Sequence, residues 1–149
     1  MALEDDIAVL TRVDLFANIG SEQLRLIAFG SEPYDLAQGR LLCRAGETAD
    51  GGFVLVSGRL ARLEGNTETV ERSFTEAGTL VGELSLITRC QWQSTIAAET
   101  ACCLLRLPRP LFLRILSEYP KTASDIRKRL ATDLATNVRL MEVVAKKLN

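Results

Sequence analysis

The sequence contains no histidine. That absence excludes Ser-His-Asp and Cys-His nucleophilic catalysis, imidazole general-base chemistry and every zinc site that uses a histidine ligand. Basic residues are not in excess either: 18 Lys and Arg against 19 Asp and Glu give a formal net charge of −1, so there is no broad cationic field to grip a phosphate backbone. No apolar run approaches the length needed to cross a bilayer, and Met1 to Asp6 is acidic where a signal peptide would be basic. The four cysteines, Cys43, Cys90, Cys102 and Cys103, form no C-x-x-C pair, and in a reducing compartment they are expected as free thiols. A phosphate-loop fingerprint is missing, as is any tract rich in Pro, Gly or Ser that would separate the chain into units. The expectation is a cytoplasmic protein with no bound metal, no catalytic constellation and no membrane segment.

What is present is a chain of 149 residues, 47% of them apolar, a size at which folding buries roughly 70% of the extended surface without staples. We expect residues 1–149 to form a single domain in three parts. Over 1–30, Ile7, Leu10 and Val13 fall at helical spacing, and Ser21 stands where it can cap a second helix carrying Leu24, Ile27 and Ala28. Over 31–108, glycines punctuate short apolar runs, predicting strands at 34–36, 41–44, 53–57, 60–63, 70–74, 94–98 and 102–107, the pattern of a sandwich or barrel. Over 109–149 helical periodicity returns. Leu111, Phe112, Ile115 and Leu116 share a face before Pro120, and 122–148 runs without Gly or Pro with Ile126, Leu130, Leu134, Val138, Met141, Val144 and Leu148 three or four apart. A helix that long spans roughly 40 Å. Its heptad-spaced Leu134, Met141 and Leu148 make 122–148 the candidate homodimer surface.

The most specific stretch is Gly78-Thr79-Leu80-Val81-Gly82-Glu83-Leu84-Ser85-Leu86-Ile87, followed by Gln93-Ser94-Thr95-Ile96. It resembles the phosphate-binding cassette of the cyclic-nucleotide-binding domain family, here spanning 78–96. Upstream, Gly39-Arg40-Leu41-Leu42, Gly46-Glu47-Thr48-Ala49-Asp50 and Phe53 to Leu60 resemble the successive turns and strands of that family's β-roll. The resemblance implies an α+β, mainly β fold: an antiparallel, jelly-roll-like β-roll (a double-stranded barrel) flanked by N-terminal helices and two C-terminal helices, with a short helix inside the cassette. No cofactor is implied. The implied partner is a cyclic nucleotide, cAMP or cGMP, or another small anionic ligand. DNA binding by this chain alone is not implied, because the family's transcription factors carry a helix-turn-helix after the long helix and this sequence stops at Asn149.

In such a cassette a short helix beginning after Gly82 turns backbone N–H groups, including those of Leu84 and Ser85, and the positive end of its dipole toward a phosphate. The resemblance gives Glu83 the ribose hydroxyl and lets Ser94 or Thr95 offer a hydroxyl. It also implies an arginine on the ring phosphate, and here the sequence departs: the place falls to Trp92, or with one inserted residue to Gln93. Neither carries a guanidinium, so nucleotide binding is expected to be weakened or altered. Arg89 stands three residues earlier, and Trp92 either stacks on a purine or plugs the pocket. Against these readings stand plainer ones, with Cys90 an inert loop thiol, Cys102 and Cys103 small apolar residues of a strand, and Arg127-Lys128-Arg129 the solvated face of a helix. The expected function is a regulatory ligand-sensing domain. The alternative is a degenerate module that binds no nucleotide and acts by interaction or dimerisation through the long C-terminal helix.

Overall fold

The computed structural model describes residues 3–65 and 67–132. Helix α1 (Leu3–Thr11) and a 3-10 turn (Asp14–Phe16) lead into α2 (Ser21–Gly30). Ser21 is the first residue of that helix and not its cap. Gly20 holds the capping position and no side chain bonds the first turn. Ten strands follow: β1 (Glu32–Leu36), β2 (Leu41–Cys43), β3 (Thr48–Ala49), β4 (Gly51–Ser57), β5 (Leu60–Leu63), β6 (Val70–Phe74), β7 (Leu80–Val81), β8 (Cys90–Gln91), β9 (Thr95–Ala98) and β10 (Cys102–Pro108). A second 3-10 turn, Leu84–Leu86, lies between β7 and β8. Helix α3 (Arg109–Glu118) carries a proline in its first turn and buries Phe112, Ile115 and Leu116. It stops before Pro120, whose ring and missing N–H cannot continue the ladder. A fourth helix, α4, occupies 120–132.

All pairings are antiparallel, in two four-stranded sheets ordered β1-β10-β4-β7 and β2-β9-β5-β6 plus the ribbon β3-β8. This is a jelly-roll-like β-roll that does not close into a ring. Alternation along the strands divides the core in two. Phe53 and Leu55 of β4, with Leu60, Ile96, Cys102 and Leu104, fill the interior of the roll. Val54, Leu105 and Leu107 point out of it and meet Phe16, Ile27, Phe112, Ile115, Ile126 and Leu130 of the helices. Ile126 and Leu130 are therefore core residues, so the early part of the expected long helix is packing surface. Leu134, Val138, Met141, Val144 and Leu148, and with them most of the 122–148 homodimer surface, lie outside the described residues. Of the expected solvated run, Arg127 and Lys128 are exposed and Arg129 only partly so.

The seven predicted strands occur, 60–63 and 70–74 with the expected ends and the others with an end shifted by one or two residues, whereas the two-residue strands β3, β7 and β8 are too short to show a period. The turn that carries the chain from β4 in one sheet to β5 in the other depends on Gly58. Its φ is +101°, and a Cβ there would come within 2.5 Å of the Ala101 carbonyl oxygen.

Cys43 and Cys102 are buried and Cys90 and Cys103 partly so, all as free thiols. Burial pushes the Cys43 thiol up from 9.0 to about 11. A raised folded pKa means that Cys43 contributes stability fully present below about pH 9 and lost as the pH rises toward 11. At pH 9 the native protein should therefore resist alkylation at Cys43 while the urea-unfolded chain is modified there rapidly. Equal rates by mass spectrometry would contradict the buried placement.

Candidate functional site

Between the turn after β7 and the inner faces of β5, β6 and β9 lies a cavity of about 350 Å³. It is lined by Gly82, Glu83, Leu84 and Ser85, by Trp92, Gln93 and Ser94, and by Arg62, Phe74, Thr79, Leu80, Val81, Cys90, Gln91, Ile96 and Leu130. The cassette residues expected from the sequence are thus brought together, with one outside the lining. Thr95 sits on β9, and its hydroxyl accepts the Ala45 N–H at 3.0 Å. Arg89 is exposed and does not line the cavity.

The turn is built on Gly82. Its φ of +87° is a conformation that side chains other than glycine rarely adopt, and a Cβ would stand 2.8 Å from the Trp92 ring and 3.1 Å from the Gly51 carbonyl oxygen. Glu83 then enters helical backbone, and the 3-10 turn closes with Leu86 N–H donating to Glu83 O at 3.1 Å and Ile87 N–H to Leu84 O at 3.2 Å. The N–H groups of Leu84 and Ser85 come before the first amide bonded within the turn. Such leading N–H groups suit an anion.

Trp92 is held by its backbone. Its N–H donates to Glu47 O and its carbonyl accepts the Gly46 N–H, both at 2.8 Å, continuing the β3–β8 ribbon. The indole lies against Gly82 and stacks on Phe53, ring centroids 6.1 Å apart at 29°. Trp92 therefore forms the inner wall where the resemblance calls for an arginine, and Gln93 beside it is exposed.

The sequence reading missed two arginines. Arg62 of β5 is the one cationic side chain in the lining among the described residues. The available signal was strand alternation, since Leu60 is fully buried and Arg62 shares its face two residues on. Arg109 opens α3. It donates from Nε to the Ser85 carbonyl at 2.8 Å, from Nη2 to the Ala49 carbonyl, and from Nη2 to Ser85 Oγ at 3.4 Å. A cation at a helix N-terminus opposes the helix dipole, so Arg109 was a readable oddity. Its partner Ser85 is 1% exposed and also lines the cavity. One residue thus joins the cassette turn, the β3–β8 ribbon and the C-terminal helices.

Among the described residues no cluster of three or more Cys, Asp or Glu is placed to hold a metal ion. No helix among them is long and apolar enough to cross a membrane.

Comparison with known proteins agrees with this geometry. The family model described as the cyclic nucleotide-binding domain matches residues 34–119. A cyclic nucleotide-gated potassium channel of Rhizobium etli is 32% identical over 120 residues, which is 80% of this chain and 33% of the channel, so the chain spans about a third of that relative. Among solved structures, a cyclic nucleotide-binding-like protein of Brucella abortus superposes with a TM-score of 0.69 at 35% identity, covering 76% of this chain and 98% of that one. The cAMP-bound PfPKA-R fragment superposes with a TM-score of 0.76 at 21% identity, covering 96% of this chain and 47% of that one, a likeness of fold.

Replacing Arg109 with alanine leaves the Ser85 and Ala49 carbonyls without their charged donor. A loss of about 1–3 kcal/mol in urea unfolding is expected, with faster hydrogen exchange at the Leu86 and Ile87 amides. Unchanged stability together with unchanged exchange would show that the anchor is not used.

Proposed function

The chain belongs to the cyclic nucleotide-binding domain family, and from that premise we propose that residues 1–149 act as one ligand-sensing unit that binds a cyclic nucleotide weakly. The observation carrying this reading is the cavity itself. Its volume of about 350 Å³ lies in the range that holds small ligands, and Leu84 and Ser85, whose N–H groups lead the turn, are among its lining residues. The phosphate takes those N–H groups, Glu83 takes a ribose hydroxyl, and the Ser94 hydroxyl adds a contact. The base lies toward Phe74, Ile96 and Leu130. The relatives support the ligand class, since one is named as gated by a cyclic nucleotide and another was solved with cAMP bound.

Weakness follows from Trp92. A guanidinium–phosphate contact contributes about 1.5–3 kcal/mol, roughly ten- to a hundredfold in affinity, and the indole supplies none of it. Signalling is a population shift. A ligand acts only by its differential affinity for two arrangements, and the Ser85–Arg109 contact and Leu130 give the cavity a direct hold on α3 and α4. No catalytic role is assigned.

A second reading, a module that binds no nucleotide and works by interaction, draws on the indole lying against Gly82. The dimerising helix it invokes falls mostly outside the described residues.

Titration with cAMP and cGMP, followed by fluorescence of the sole tryptophan, separates the two. A saturable change lost in Glu83→Ala, whose melting temperature stays that of the parent, is expected. Silence up to millimolar nucleotide with an unshifted melting temperature would favour the second reading. Trp92→Arg, followed by calorimetry because the variant lacks the fluorophore, should tighten binding about ten- to a hundredfold. An unchanged affinity would contradict the assigned cause of weakness.

A further inference from the structure

Building on the reading that the cavity takes a cyclic nucleotide, we propose that Arg62 makes the site selective for guanine over adenine, its guanidinium fork donating to the adjacent O6 and N7 acceptors of the base. Arg62 is a partly buried charge at the cavity wall, its side chain 32% exposed. It follows Leu60 on the inward face of β5, pairs across the sheet with Ile96 of β9, and lines the cavity beside Phe74 and Leu130. Its Nε is buried and has no hydrogen-bond partner among the described residues. Its Nη2 meets Glu71 Oε1 at a long 3.4 Å, and the Glu71 side chain is 53% exposed. That pair tethers one edge of the guanidinium and leaves the buried Nε–H without an acceptor among the described residues. A buried N–H in this state carries a desolvation cost that a ligand acceptor would recover.

The ligand group that meets it is the base. Arg62 stands in the other sheet from β7 and the Gly82 turn, which take the phosphate, and its neighbours Phe74, Ile96 and Leu130 are apolar. A flat aromatic base suits that wall, and a doubly solvated phosphate oxygen does not. Arginine is a donor only. Guanine offers it two adjacent acceptors, whereas adenine offers N7 beside an amino group, setting N–H against N–H.

Calorimetric titration of the wild-type chain with cGMP, cAMP and inosine 3′,5′-cyclic monophosphate tests this, since the inosine compound keeps O6 and N7 and lacks the 2-amino group. The expected result is cGMP bound about tenfold or more tighter than cAMP, with the inosine compound close to cGMP. Arg62→Ala should weaken cGMP far more than cAMP and bring the two affinities together. Arg62→Lys keeps the charge without the fork and should also lose the preference, which carries the test if the alanine variant does not fold. Equal or tighter binding of cAMP by the wild type, a preference for cGMP that the inosine compound does not share, or equal weakening of both nucleotides in Arg62→Ala would each overturn the proposal while leaving cyclic-nucleotide binding intact. Absence of binding by all three would overturn the underlying reading and this one together.

Discussion

At Gly82 the chain leaves β7 in the left-handed region while the Trp92 ring and the Gly51 carbonyl crowd the place that a Cβ would occupy. Everything in the site is downstream of that crossing. The left-handed residue turns Glu83 into helical backbone, the short 3-10 turn follows, and its residues Leu84 and Ser85 line the cavity. The indole that packs on the glycine closes the inner wall and is itself fixed by the ribbon that holds its backbone. In the proposed reading it is this backbone geometry that meets the phosphate.

The turn is also tied to the helices. Arg109 bonds the Ser85 and Ala49 carbonyls from the first position of α3, so the cassette, the ribbon and the helix start move as a unit or lose those bonds. Leu130 adds a second link, lining the cavity while belonging to the helical core. The roll interior and the helical layer share the strands β4 and β10, whose alternate residues serve each in turn. The cavity and the helices are thus joined by two identified contacts, and in the proposed reading the energy a ligand can pass through them is limited to its difference in affinity between two arrangements.

Much of this was legible in the sequence for physical reasons. Strand alternation and glycine punctuation located the longer strands, and the helical spacing of Phe112, Ile115 and Leu116 located α3. The cassette was legible through the family resemblance of the whole run from Gly78 to Ile87 with Gln93 to Ile96, since Gly82-Glu83 alone reads equally as an ordinary tight turn. The two-residue strands escaped because two residues carry no period. Thr95 was placed among the hydroxyl donors, yet its hydroxyl serves the Ala45 amide, a partner 50 positions away in the chain that no local pattern reveals. Arg62 and Arg109 were passed over because each looks ordinary by type. Each is unusual by position, one on an inward strand face and the other at a helix start where the dipole disfavours it.

The central claim is that the amides of the turn after Gly82 receive the phosphate of a cyclic nucleotide. The most direct measurement is a ¹⁵N–¹H NMR titration of the labelled chain with cGMP, read at the Leu84 and Ser85 amides. The account predicts large downfield shifts at these two amides, saturating together. Saturable shifts elsewhere with Leu84 and Ser85 unmoved, or no shifts anywhere up to millimolar nucleotide, would contradict it.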